Sequence, residues 1–330
     1  MQQDTEAVGP GPSSDAPSAA AWAVVQAAAV HADRAGCPGQ PAAFAVNEAG
    51  QALAVPADDP QALVAWRGRA GWEPLVARDD PRRALLDLYL PICSATTSHP
   101  VTIGHLGQSL DGFIATRTGD SRWVTGRENI LHLHRLRALC DAVVVGAETV
   151  SADDPQLTTR LVHGPNPLRV ILDPRRRLGV HHQVFSDRSA ETLYVCSRSL
   201  ARPGEHCHGL ATIAAVDETA DGLDIAALVG LLHTRGCTRI FVEGGGVTVS
   251  MFVRAGLLDR LHMAIAPLII GDGRPAIRLP ARAMLGDCQR PRYRVFRMGG
   301  DVLFDCDLRS RRDEDAAGPM AAPPGVARII

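Results

Sequence analysis

The sequence predicts an α/β fold in which a mixed, mainly parallel sheet carries helices on both faces and ends in an antiparallel hairpin, behind a small α+β accessory domain. Three observations carry this expectation. From Val101 onward, apolar runs of strand length alternate with stretches of helical periodicity. The last two apolar runs are separated only by a turn around Gly299-Gly300, which requires them to pair antiparallel. The stretch before residue 99 has a different, Ala-rich texture.

Taken in order, residues 1–20 are rich in Pro, Gly, Ser and Asp and hold too few large apolar side chains to offset the entropy of ordering, so disorder is expected there. A helical stretch over 21–35 follows, then a hairpin of 42–46 and 52–55 around the turn at 47–50, then helical segments near 60–67 and 80–89. These form an accessory domain over 21–98 whose role the residues do not state. Strands are expected at 101–106, 141–146, 168–172, 192–196, 210–216, 239–243, 260–266, 292–297 and 302–307, with helices at 127–139, 223–235 and 247–256. They define a main domain over 99–308, and the polar, Pro- and Ala-rich residues 309–330 read as a flexible tail.

The 34 basic and 36 acidic residues nearly cancel, so no global field gathers nucleic acid or an anionic membrane. There is no apolar run of about 18 residues and no charged segment leading an apolar core at the start, and a cytoplasmic enzyme is the expectation. The eight cysteines are scattered without a CxxC pair and are read as reduced and mostly buried. No metal is expected. His206-Cys207-His208 packs three ligands into three residues, which closes a tetrahedral site poorly and reads as a surface loop. His31-Ala32-Asp33 with Cys37 partly resembles the zinc signature of nucleobase deaminases, but Asp stands where Glu is needed and no second cysteine pair follows. His132 and His134 lie two apart on a helix, point in different directions, and are read as solvent or core residues.

Three segments carry chemistry. In the first, a β-run through Glu243 breaks into Gly244-Gly245-Gly246 and then a helix beginning Val247-Thr248, an outline in which free N–H groups and the helix dipole favour a phosphate. A purely architectural turn fits it equally well. In the second, a strand holding His105 and Gly107 runs into Ser109-Leu110-Asp111-Gly112, followed by a polar loop with Ser121 and Trp123. This is either a hydrogen-bonding cover beside a cleft or an ordinary β-turn. In the third, a buried strand ends at Gly146 before Thr149, Asp153-Asp154-Pro155 and Leu157. Arg137 and Arg160 on either side are phosphate forks or paired surface arginines.

In this order and spacing, Ser-Leu-Asp-Gly, Gly-Asp-Ser-x-Trp-Val-Thr, Leu-Arg-Ala, Ala-Asp-Asp-Pro-x-Leu-Thr-x-Arg, Val-Glu-Gly-Gly and Ala-Pro-Leu-Ile-Ile-Gly together resemble the reductase domain of riboflavin-biosynthesis deaminase/reductases. The resemblance spans 101–308 and implies a dihydrofolate-reductase-like, three-layer α/β/α fold. It implies NADPH contacts at Gly107, Trp123, Thr149, Asp153 and the Gly244-Gly245-Gly246-Val247-Thr248 turn. Substrate contacts would fall at Ser121, Arg137, Leu157 and Arg160, with Glu243 facing the reacting sugar. The implied reaction reduces the ribosyl C1′ of a 5-amino-6-(5-phosphoribosylamino)uracil-like substrate to a ribitylamino product, and the implied assembly is a homodimer.

The chain departs from the family in three places. His105 stands where many members have Lys, and with an unperturbed pKa of about 6.5 it is a candidate proton handler beside Glu243. Asp173-Pro174 replaces a small hydroxyl residue near the adenosine 2′-phosphate, for which Arg175, with Arg176 and Arg177, would compensate by charge unless the three form a solvated turn. At the amino end the zinc deaminase is missing. A same-fold reductase of secondary metabolism with another substrate, or a non-catalytic nucleotide-binding protein, are the competing expectations.

Overall fold

A computed structural model describes residues 16–35, 40, 42–220 and 222–309. The chain divides into two compact units, Met1–His99 and Pro100–Ile330.

The first unit contains α1 (Ala16–His31), β1 (Ala43–Val46), β2 (Ala52–Val55), β3 (Val64–Trp66), β4 (Trp72–Pro74) and α2 (Arg83–Cys93). Its strands form an antiparallel sheet in the order β2-β1-β3-β4. The core is aromatic. Trp22 meets Tyr89 edge-on at 5.7 Å, Trp72 lies 5.4 Å from Phe44 and 5.3 Å from Trp66, and the Trp72 indole donates to the Ala28 carbonyl at 3.0 Å. Two expectations are corrected here. Residues 16–20 open a helix, because Pro17 falls in the first turn, where a missing N–H costs nothing, and alanines propagate it. The stretch 60–67 is not helical. The Asp59 carboxylate accepts from the Gln61 N–H at 2.7 Å in a tight turn, and Val64–Trp66 then pairs between β1 and β4, where a β-branched and an aromatic side chain find partners. Residues 1–15, Cys37 and residues 310–330 lie outside the described residues.

The second unit runs β5 (Val101–Gln108), β6 (Phe113–Thr116), α3 (Arg127–Leu139), β7 (Ala142–Gly146), α4 (Ala147–Asp153), β8 (Leu168–Leu172), α5 (Gln183–Ser186), β9 (Thr192–Ser197), β10 (Cys207–His208), β11 (Ala211–Val216), β12 (Glu218–Thr219), β13 (Gly222–Leu223), α6 (Ile225–Thr234), β14 (Arg239–Gly244), α7 (Gly246–Arg254), β15 (Arg260–Ile265), β16 (Gly273–Pro275), β17 (Arg292–Met298) and β18 (Asp301–Asp307). Each strand and helix expected after residue 100 is present with ends shifted by at most two residues. The main sheet has the order β10-β11-β9-β8-β7-β14-β5-β15-β18-β17. From β11 to β15 every neighbouring pair is parallel, and the β17–β18 hairpin closes it antiparallel. The sequence did not announce a separate ribbon of β6 with β16, which pairs residues as distant as Thr116 and Gly273.

Strand parity separates the faces. Ala142, Val144, Val170, Leu172, Ile240 and Val242 share one apolar cluster with Leu228 and Leu232 of α6 and Val249 and Phe252 of α7. The alternate residues His105, Glu243 and His262 instead meet α3. The result is three layers, with helices on both faces of the sheet. The chain leaves β5, builds β7 to β11 outward, and returns through α6 to place β14 between β7 and β5. Strand order reverses there, the place where open α/β sheets form a ligand crevice beyond the carboxyl ends of their strands.

Candidate active site

At that crevice β7 and β14, adjacent and parallel, each end in glycine and pass directly into a helix. Neither N-cap, Gly146 nor Gly245, has a side chain with which to satisfy the first turn. The two helices brace each other instead. The Gly245 N–H donates to Thr149 Oγ1 at 3.2 Å, and a Cβ at Gly146 would lie 2.6 Å from Thr248 Oγ1. This leaves the N–H groups of Gly246, Val247 and Thr248 without intrahelical acceptors at the positive end of α7, a donor set that fits a diphosphate. Gly244 at φ 137° holds a conformation that L side chains rarely adopt. Gly246 has a packing reason as well, because a Cβ there would collide with the Ala276 carbonyl oxygen and sit 2.6 Å from that of Pro275. The triglycine turn is thus architectural and ligand-competent at once.

The other expected cofactor residues lie on separate elements of the second unit. Gly107, next to last in β5, lies against Thr125, whose methyl would be 2.6 Å from a Cβ at residue 107. Asp153 lies one turn beyond Thr149 on α4 and feels the charges of Arg274 and Arg122. Trp123 is 77% exposed with φ 62°, on the same exposed loop as Ser121. Arg175 follows β8, whose last residue, Leu172, pairs with Gly146, so it stands on the same sheet edge. Of the arginine triple, Arg176 forks onto both Glu205 oxygens at 2.6 Å, and Arg177 stands 4.0 Å from Asp173. Arg175 is exposed. Asp173, read beforehand as a substitute near a ligand, is buried and accepts from the Leu178 N–H at 2.8 Å and the Tyr194 hydroxyl at 2.9 Å, so it shapes the turn.

Of the expected substrate residues, Arg137 and Arg160 meet at Thr158, beside Leu157. Glu243 occupies a bulge where β14 slips against β7, and a bulge re-aims a side chain. Arg137, on the last turn of α3, grips it with a fork: Nε donates to Oε2 at 2.7 Å, Nη2 bonds Oε1, and Nη1 donates to the Thr158 carbonyl at 2.9 Å. These side chains are only 8% and 12% exposed. Arg137 is therefore not the open phosphate fork of the sequence reading, because its donors are committed to Glu243 and Thr158. Arg160 bonds Thr158 Oγ1 at 2.6 Å and is itself exposed, while its backbone N–H donates to His134 Nδ1 at 3.0 Å. That bond requires an unprotonated Nδ1, consistent with a His134 pKa pushed down to about 3 by burial and the Arg137 and Arg160 charges. Leu157, buried at φ 57°, sets the turn that delivers Thr158.

His105 corrects another expectation. It is 2% exposed, its Nε2 lies 2.9 Å from Asn129 Oδ1, and burial, reinforced by His262, pushes its pKa down to about 3. Strand parity turns it under α3, where Asn129 and His132 cover it, so it does not stand before a sugar as a charged donor. Asn129, Thr158, His262 and Asp305 escaped sequence reasoning, because each acquires its place from a partner at least 21 residues away. Asp111 was legible as a turn, and it does more. Its carboxylate accepts from Ser109 Oγ at 2.5 Å and from the Gly271 N–H at 2.6 Å, bonds that hold its pKa down at about 2 and tie the turn to the segment after β15. Among the described residues no group of three or more His, Cys, Asp or Glu could hold a metal ion, and no helix is long and apolar enough to cross a membrane.

Comparison with known proteins bears on this geometry. Residues 100–284 match the RibD C-terminal domain. The chain is 37% identical over 217 residues to a 2,5-diamino-6-ribosylamino-4(3H)-pyrimidinone 5′-phosphate reductase of Methanothermobacter thermautotrophicus, covering 64% of this chain and 99% of that one. It is 30% identical over 210 residues to the riboflavin biosynthesis protein RibD of Aquifex aeolicus, 63% of this chain and only 58% of that longer relative. The crystal structure of a diaminohydroxyphosphoribosylaminopyrimidine deaminase/5-amino-6-(5-phosphoribosylamino)uracil reductase from Thermotoga maritima superposes with a TM-score of 0.53 at 26% identity, covering 68% of this chain and 61% of that one. With its three-layer fold and a match over more than half its length, the chain belongs to the RibD C-terminal domain family.

Proposed function

We propose that the protein is an NADPH-dependent reductase of riboflavin-pathway type. Its substrate would be a 5-amino-6-(5-phosphoribosylamino)uracil or a 2,5-diamino-6-ribosylamino-4(3H)-pyrimidinone 5′-phosphate, reduced at the ribosyl C1′ to the ribitylamino product. One observation carries this reading. Glu243 and the triglycine turn are consecutive on β14, so a diphosphate on the α7 amides brings its nucleotide to the Arg137–Glu243 cluster. When bound, the reduced nicotinamide supplies the hydride. The chain supplies position. The amides of 246–248 seat the diphosphate, Thr149 and Thr248 hold the two helix starts together, and Arg175 meets the 2′-phosphate that distinguishes NADPH from NADH. Arg160 and Ser121 receive the substrate phosphate. Glu243, fixed in plane by Arg137, accepts hydrogen bonds from the sugar hydroxyls.

We further take the protein to act as a cytoplasmic homodimer without a nucleic-acid partner, with residues 21–98 as an accessory domain and 99–308 as the reductase. The interior position of His105 favours a second reading within the same class, a different phosphorylated sugar, because no cation stands on β5 where the family often has one. The deciding experiment mixes the protein with NADPH and each pyrimidine phosphate, follows loss of the reduced-nicotinamide absorbance, and weighs the product for two added hydrogens. No turnover between about pH 6 and pH 8 removes this substrate assignment. Turnover with another sugar phosphate selects the second reading, and tight NADPH binding without turnover on any of them selects a nucleotide-binding role.

A further inference from the structure

Four laterally adjacent strands, β5, β15, β18 and β17, carry polar residues in register: His105 opposite His262, His262 opposite Asp305, and Asp305 opposite Arg294. His105, His262 and Asp305 are at most 2% exposed, whereas the Arg294 side chain, at the sheet edge, is 40% exposed. α3 lays two more buried groups over this row. His132 Nε2 is 2.9 Å from His262 Nδ1, with its ring also 5.4 Å from that of His105, and Asn129 bonds His105.

The acceptor at the end of the row dictates the proton positions. Asp305 accepts from Arg294 Nη2 at 2.7 Å and from Arg260 Nη2 at 2.5 Å, and lies 3.2 Å from His262 Nε2. A carboxylate held by two arginines acts as acceptor, so His262 carries its hydrogen on Nε2 and offers Nδ1 as a lone pair. His132 must then donate from Nε2. On the site side Asn129 Nδ2 donates to Thr125 Oγ1 at 2.8 Å, which leaves Asn129 Oδ1 to accept from His105 Nε2. The same Thr125 presses against Gly107, where β5 enters the crevice.

We propose that Asn129 is a positioning residue for the nucleotide: held by His105 and the buried row behind it, it keeps Thr125 against Gly107 and so sets the outer end of β5 on which the nicotinamide side of the cofactor rests. This rests on the reductase reading above. The groups that face His105 are His262 from β15 and Asn129 and His132 from α3; behind them Asp305, Arg260 and Arg294 act on His262, and Arg135 acts on His132. Glu243, held by Arg137, follows the Val242–Gly104 pair on β14.

The test uses the full chain and NADPH itself. Asn129→Asp is nearly isosteric, still accepts from His105, and lets the Thr125 hydroxyl turn to donate, but it puts a carboxylate on His105. Protonation of His105 then enters the neutral range and changes the seat of Gly107. The ratio of variant to wild-type Kd for NADPH is expected to change at least threefold between pH 6 and pH 8, as measured by quenching of Trp123 emission. A ratio constant across that range overturns the proposal, since a merely structural role of Asn129 gives a fixed penalty. In the wild type, saturating NADPH is expected to shift the nitrogen resonances of His105 and the Asn129 side-chain amide while those of His99, in the other unit, stay put, and unmoved resonances of His105 and Asn129 at saturation equally overturn it. A wild-type protein that binds no NADPH removes the reductase reading and this proposal together.

Discussion

Acidification tests the interior of the second unit most directly. His105, His132 and His262 are 2%, 0% and 0% exposed, and burial, the largest cause at each, lowers all three pKa values below that of a free imidazole. Folded, they are uncharged; unfolded, each takes up a proton near pH 6.5. The unfolded chain thus binds more protons below that point, so stability is complete above about pH 6.5 and falls with decreasing pH until the native imidazoles protonate. For His105 that end lies near pH 3. One histidine that stays neutral when folded costs about 2 kcal/mol at pH 5, and three cost at most about 6 kcal/mol, comparable to the whole stability of an ordinary domain. Asp153 and Asp301, whose carboxyl pKa values burial raises, act in the opposite sense on acidification, because there the folded chain binds the extra proton. Asp111, held down at about 2 by Ser109 and the Gly271 N–H, and Asp305, pulled below its usual range against burial by His262, Arg260 and Arg294, lose their contributions only below about pH 4.

The assay is urea unfolding at pH 7.5, 6.5, 5.5 and 5.0 by far-ultraviolet circular dichroism, with imidazole nitrogen spectra of the folded protein at each pH. The unfolding free energy is expected to fall by at least 2 kcal/mol between pH 7.5 and pH 5.0, about the cost of a single buried imidazole. The three resonances should stay in their neutral positions throughout. His132→Gln keeps a donor toward His262 Nδ1 but carries no titratable group, so the pH slope should drop by up to about 1.4 kcal/mol per pH unit. A free energy flat from pH 7.5 to 5.0, or native imidazoles that titrate near 6.5, would refute the account of a neutral, desolvated row.

Other perturbations separate packing from binding. Gly246→Ala forces a methyl against the backbone carbonyls of Pro275 and Ala276, so a loss of about 1–3 kcal/mol is expected by calorimetry, together with weaker NADPH binding. Glu243→Gln removes a carboxylate gripped by Arg137, and kcat/KM is expected to fall about 100-fold, or about 2.7 kcal/mol, while the NADPH Kd stays within twofold. Steady-state kinetics beside cofactor titration distinguish the two effects. Arg175→Ala is expected to weaken NADPH about tenfold and leave NADH unchanged. Arg176→Ala, which breaks the fork to Glu205, should lower the melting temperature without altering that preference.

The fold was legible because its parallel strands are buried on both faces and therefore read as near-continuous apolar runs, as in Ala142–Gly146 and, with Arg169 as its one interruption, Leu168–Leu172. The triglycine turn was legible for a related reason, since strand, glycines and helix follow one another directly. Roles that depend on register were not. Nothing local distinguishes His105 from a catalytic imidazole, because its burial arises only when β15 aligns His262 beside it and α3 brings Asn129 over it. Arg137 shows a lone cation late in a helix, and its commitment to Glu243 depends on a bulge 106 residues away. The error at 60–67 has the same origin, with weak helical propensity yielding to pairing on both sides.

The two faces of the sheet divide the work physically. On one, Leu228, Leu232, Val249 and Phe252 close over the parallel strands, each at about 1.5–3 kcal/mol for full burial of such a side chain. On the other, α3 buries Asn129, His132 and Arg137, which gain little net energy even when satisfied and cost several kcal/mol when a partner is removed. Such a layer persists only because the apolar face sustains the fold. Its return is geometric: every group has one acceptor or donor available, so Glu243, Thr125 and the end of β5 are held in a single arrangement around the crevice. The reductase proposed above, which would bring a reduced ring and a sugar carbon to within bonding distance, needs this restriction more than it needs stability, and the polar layer under α3, on the face opposite the apolar cluster, would supply it.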